Sequence, residues 1–145
     1  MRSSRSGLVL GFVALGALAG CSRAFELSEA AAAEPAVTAQ VARKVLERAP
    51  ITGSDDELRL MLIEYPPGVA GPPHRHPVTG LCYVIEGTAE SQYEGELLKT
   101  FRAGDSYRDP AGKPHRIFRN ASATQPLRFT CSAKIGKNQE FVEAL

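Results

Sequence analysis

From about residue 40 onward the chain consists of short stretches of strand-forming residues broken by glycine and proline, with no long amphipathic helical repeat between them. In Leu127 to Ile135, Phe129, Cys131, Ala133 and Ile135 fall on one side, and Arg128, Thr130, Ser132 and Lys134 on the other. A period of two with one dry and one wet face is the pattern of a half-buried strand. In Glu57 to Tyr65, Leu58, Leu60 and Leu62 alternate with Arg59, Met61 and Ile63. Both faces are fairly apolar, so the expectation is a strand packed on two sides. Leu81 to Glu86 is a continuous run rich in strand formers, and Glu90 to Glu94 with Glu96 to Phe101 reads as a hairpin about Gly95. Strands this short, punctuated by turn residues, predict an all-β sandwich or barrel.

The first twenty residues follow a different logic. Arg2 and Arg5 precede an apolar core from Leu8 to Leu18, and the small residues Ala19 and Gly20 follow. That is a secretory signal pattern. The run Leu18-Ala19-Gly20-Cys21 resembles the bacterial lipobox, which implies lipidation of Cys21 and a chain anchored in the cell envelope, facing the periplasm; the competing reading is ordinary cleavage after Ala19 and export. Residues 22–38 are rich in Ala and Glu, and Pro35 stops any helix begun there, as in a tether. The expected organisation is therefore a signal peptide over 1–20, a lipid-anchored tether over 21–40 and one β-barrel domain over 41–145. Without the two arginines of the leader, 15 basic side chains face 16 acidic ones, so no clustered basic excess marks a nucleic-acid partner.

Histidine is scarce in this chain, at three residues. His74 and His76 are one residue apart, so on an extended segment both rings point to one side. His115 follows the turn-rich segment Pro110-Ala111-Gly112-Lys113-Pro114, which presents it from another strand. Gly68, His74-x-His76, Gly80 and Gly87 together resemble the first cupin motif, and Gly104, Pro110-x-Gly112 and His115 the second, with Asn120 one position later than the pattern's Asn. The resemblance covers roughly residues 55–135. It implies a double-stranded antiparallel β-barrel of the cupin or jelly-roll type, similar to small quercetin-dioxygenase-like cupins, with a metal inside one end.

The pattern expects Glu four residues after the second His, and Gly80 stands there instead. The ligand set implied by the resemblance thus stops at His74, His76 and His115, holding one divalent transition metal ion. Imidazole suits Fe, Mn, Ni, Cu and Zn too evenly to choose among them. Counting by twos from Gly80 puts Cys82, Val84 and Glu86 on the lumen side, and counting from His115 puts Ile117 and Arg119 there. Glu86 is then a candidate general base or surrogate carboxylate, and Arg119 a candidate partner for a substrate carboxylate. Tyr83, Tyr93, Tyr107 and Phe118 read as core or rim aromatics. Cys82 and Cys131 are open to three readings: a disulfide in an oxidising compartment, two buried thiols, or Cys82 as a fourth ligand.

Three functions remain open on these residues, all with a small-molecule ligand or substrate. They are an oxygen-using metalloenzyme of the dioxygenase kind, a metal-dependent isomerase, lyase or hydrolase, and a binding or sensory lipoprotein without turnover. Homodimerisation is implied by the family resemblance alone.

Overall fold

The alternation in Leu127 to Ile135 is realised as a ten-residue strand in the middle of a sheet, with Leu127, Phe129, Cys131, Ala133 and Ile135 buried. A computed structural model describes residues 40–145, so Cys21 and the readings of the leader and most of the tether lie outside the described residues. In chain order the strands are β1 (Ala42–Pro50), β2 (Asp56–Tyr65), β3 (His74–Arg75), β4 (Gly80–Glu86) and β5 (Thr88–Tyr93), then β6 (Lys99–Arg102), β7 (Ser106–Asp109), β8 (His115–Asn120), β9 (Leu127–Gly136) and β10 (Glu143–Ala144). They form two five-stranded sheets, ordered β1-β2-β9-β4-β7 and β10-β3-β8-β5-β6, in which the paired strands are antiparallel. No helix occurs among the described residues. The hairpin about Gly95 forms, with Thr88 to Ser91 paired to Arg102 to Lys99.

The core lies between the sheets. Met61, Ile63, Tyr65, Val84, Leu127 and Phe129 from the first sheet meet Ala89 and Phe118 from the second. Rings of Phe118 and Phe129 stand 5.2 Å apart across this layer, and Tyr65 meets Phe118 edge-on at 5.3 Å. Each large apolar side chain so buried contributes roughly 1.5–3 kcal/mol. Gly87, between β4 and β5, has φ +82°, and a Cβ there would lie 2.3 Å from the Pro126 carbonyl oxygen. No other residue fits that turn without moving backbone.

Two expectations about faces are corrected. β2 is not packed on both sides: Glu57, Arg59, Met61, Ile63 and Tyr65 point inward, while Leu58 is 56% exposed and Leu60 also faces outward. Polar residues take the inner end of this strand because they pair there. Glu57 Oε1 accepts from Arg59 Nε at 2.7 Å, and the Arg59 guanidinium donates to the carbonyls of Gly136, Lys137 and Gln139. That charge-assisted set fixes the turn after β9 and so delivers Phe141 to the core.

The alternation also breaks within β4 and β8. Opposite β9, the register of β4 shifts between Val84 and Glu86, and opposite β5 the register of β8 shifts so that Gln92 faces Ile117 while Tyr93 faces His115. Each bulge adds one residue and reverses the faces beyond it. Glu86 therefore points outward, 46% exposed at its side chain and 3.9 Å from Arg128. Arg119 also points outward and pairs with Glu90 at 2.6 Å. Neither reaches the barrel interior. The β8 bulge also explains the late asparagine: Asn120, one position beyond the motif's place, is the residue that turns inward. It is 2% exposed and donates to the carbonyls of Tyr65, Pro66 and Gln125.

Candidate metal centre

β3 and β8 pair at one register position, His74 opposite His115, and His76 forms a single bridge to Ala111 just beyond. The extended HxH segment and the Pro-Gly turn before β8 thus bring all three imidazoles to one end of the barrel. They are 5%, 3% and 1% exposed, and their ligand nitrogens lie within 4.8 Å of one another.

Each ring is oriented through its other nitrogen. His74 Nδ1 donates to the Pro72 carbonyl at 2.8 Å, and His76 Nδ1 to the Phe141 carbonyl at 2.9 Å. A carbonyl only accepts, so both Nδ1 atoms carry the proton and both Nε2 atoms present lone pairs. His115 Nε2 bonds Ser91 Oγ at 2.8 Å, leaving its Nδ1 free. His76 Nε2 and His115 Nδ1 are buried with no hydrogen-bond partner. Burial pushes all three imidazoles below the ordinary histidine range, His115 to about 3. They are neutral at pH 7, the form that ligates. Convergent neutral imidazoles with orphaned lone pairs and occupied outer nitrogens fit a transition-metal ion.

The rings are also clamped by packing. Tyr93 stacks on His115 with centroids 4.0 Å apart, and Phe141 packs on His76 at 4.5 Å. Phe141 explains Gly80: a Cβ on Gly80 would sit 2.4 Å from Phe141 Cζ, so the aromatic ring occupies the space that a side chain there would use.

Sequence reasoning missed a carboxylate. Asp109, on β7, is 3% exposed and is the cross-strand partner of Gly80. Its Oδ1 accepts from Tyr93 OH at 2.6 Å, and its Oδ2 lies 3.6 Å from His76 Nε2. Burial raises its carboxyl to about 6, although the Tyr93 bond works the other way. Burial, then Asp109, pushes the Tyr93 hydroxyl far above its usual range. The signal for Asp109 was present in the segment Ser106 to Asp109, where an inward Tyr107 implies an inward residue two positions on.

Cys82 and Cys131 are direct partners on β4 and β9 and are joined by a disulfide. That excludes Cys82 as a thiolate ligand. Among the aromatics, Tyr93, Tyr107 and Phe118 are buried, whereas Tyr83 is 51% exposed. The cavity between the rings is small, about 30 Å³, and Arg43, Tyr65, Tyr107, Asp109 and Val142 share its lining with the histidines. A space of this size holds an ion and a water or two.

The fold and the three-His site define a small cupin. A family model described as a cupin domain matches residues 61–133, so the chain belongs to the cupin family. No curated protein matches the chain. Among solved structures it is similar to the DMSP lyase DddQ from Ruegeria pomeroyi, at 23% identity and a TM-score of 0.58, over 72% of this chain and 51% of that one. The chain thus spans about half the length of that lyase. The polyketide cyclase RemF from Streptomyces resistomycificus gives 23% identity, a TM-score of 0.55 and coverages of 72% and 70%. A cupin-like protein from Thermotoga maritima gives 19%, 0.58, 74% and 77%. These likenesses establish the fold.

Proposed function

We propose that this cupin is a metal-dependent enzyme that holds one divalent transition metal at His74, His76 and His115 and acts on a small oxygenated substrate, as in an elimination, isomerisation or cyclisation. The observation that carries this reading is the set of three buried, neutral imidazoles, each tethered through its outer nitrogen, with the inner nitrogens within 4.8 Å of one another. Bound there, the ion supplies Lewis acidity toward a substrate oxygen. The chain's own residues bind and orient the substrate. Tyr107 OH, buried and without a partner, is a donor for a substrate oxygen in the same cavity. Arg43 at the rim offers a cation to an anionic group. The lyase and the cyclase among the similar structures support non-redox chemistry on this barrel by analogy.

An oxygen-using, dioxygenase-like reaction is the second reading. Three neutral donors leave the ion's charge largely uncompensated, which favours an anionic substrate bound beside O₂.

Elemental analysis of the purified chain tests the common part. About one transition-metal ion per chain is expected, and none in a His74→Ala/His115→Ala variant. A metal-free wild type would turn the reading toward a binding or sensory protein. Oxygen uptake against solvent-deuterium incorporation, measured after anaerobic loading with Fe(II), Mn(II), Ni(II), Cu(II) or Zn(II), separates the two reaction classes. For location, the leader pattern and the cross-strand disulfide support an envelope protein anchored through Cys21 and exposed to an oxidising compartment.

A further inference from the structure

The geometry points to Asp109 as the carboxylate donor of the metal centre, supplied from β7 in place of the glutamate that Gly80 cannot provide. The inference rests on the three-His reading above and extends it to a fourth protein ligand.

Asp109 stands opposite Gly80 in the β4/β7 register, so the carboxylate reaches the same end of the barrel from the neighbouring strand. Its two oxygens differ. Oδ1 is held by the Tyr93 hydroxyl at 2.6 Å. Oδ2 has three polar neighbours, and none can donate to it. Cys82 Sγ at 3.3 Å and Cys131 Sγ at 3.9 Å belong to the disulfide and carry no hydrogen. His76 Nε2 at 3.6 Å presents a lone pair, because the ring's proton is on Nδ1, bonded to the Phe141 carbonyl.

A buried carboxylate oxygen facing a buried imidazole lone pair, with no donor between them, is costly unless a cation lies there. Two donors each about 2.1 Å from a single ion stand roughly 3–3.5 Å apart, close to the observed separation. The other acid buried in the fold, Glu57, is already paired with Arg59, so Asp109 is the buried carboxylate left without a counter-charge among the described residues. One anionic donor beside three neutral ones also halves the charge of a divalent ion, which a wholly imidazole set leaves untouched.

The test is a metal titration of the full chain and its Asp109→Asn variant, which keeps the shape and removes the charge. Zn(II) affinity, read by chelator competition, should fall by about 100-fold or more in the variant, at the upper end of or beyond the loss typical of outer-shell changes. Co(II) should bind both proteins with different visible ligand-field spectra, because an anionic carboxylate oxygen is replaced by a neutral amide. In the wild type, infrared difference spectra on Zn(II) binding should show a shifted carboxylate stretch, a readout that survives even if the variant folds poorly. Equal affinity with an unchanged Co(II) spectrum, or no carboxylate shift in the wild type, would overturn the inference while leaving the three-His site standing. A wild type that binds neither ion, with His76 and Asp109 forming a simple ion pair, would overturn the three-His reading as well.

Discussion

His76 and Phe141 are joined twice. The His76 ring donates through Nδ1 to the Phe141 carbonyl at 2.9 Å, and the two rings pack with centroids 4.5 Å apart. The segment after β9 therefore both orients a candidate ligand and fills the space above Gly80.

Phe141→Ala keeps the carbonyl but removes the ring. The expected outcome is a stability loss of about 3 kcal/mol, from the emptied core position, read by chemical denaturation. Metal affinity should drop by about 10-fold or more because His76 gains freedom. Affinity equal to that of the parent would show that the hydrogen bond alone orients the ring.

Acid should destabilise the chelator-stripped protein. His74, His76 and His115 titrate below their unfolded value, so below about pH 6.5 the unfolded chain takes up protons that the native one refuses. Their contribution is present above that pH and is lost as pH falls, for His115 down toward 3. Each histidine adds a slope of up to about 1.4 kcal/mol per pH unit. Asp109, raised to about 6, acts in the opposite sense: between roughly pH 4 and 6 the native chain holds a proton that the unfolded one has released. The histidines act without that opposition between about pH 7 and 6, so unfolding midpoints in urea should fall there, and Asp109 offsets part of the loss below it. A flat profile would contradict the burial of these rings.

The disulfide Cys82–Cys131 closes a separation of 49 residues. On the chain-entropy argument its reduction, or a Cys82→Ser/Cys131→Ser double substitution, should cost about 2–4 kcal/mol. Melting curves with and without reductant measure this. The double variant should show no further change on reduction, and any change would expose a different reducible group.

Substitutions at the two outward-facing residues should be mild. Glu86→Gln and Arg119→Met break only exposed pairs, with Arg128 and Glu90. Each is expected to shift stability by less than about 1 kcal/mol and to leave metal stoichiometry unchanged. A loss of bound metal in either variant would mean that these side chains reach the interior after all.

Much of the barrel is legible because one strand's alternation is a local property. Leu127 to Ile135 shows its two faces without reference to anything else, and His74 and His76 share a side for the same reason. What escapes is whatever depends on a neighbour. Leu58 and Leu60 look like core residues until the Glu57–Arg59 pair takes the inner face. The bulges in β4 and β8 exist only against their partner strands, and they are why Glu86 and Arg119 were misplaced while Asn120 looked one position late. Asp109 lies on a different strand from the gap it faces, so no count along Gly80's own strand leads to it. Phe141 sits in a tail too short to show any period.

The Arg59 clasp on the carbonyls of Gly136, Lys137 and Gln139 also sets an order of events. Synthesis delivers His74, His76, Asp109 and His115 before Phe141, yet His76 gains its orienting carbonyl only when that segment docks on β2. Because such long-range closures come late in β-rich folding, an ion bound at the proposed three-His site would find His76 oriented only once the chain is complete.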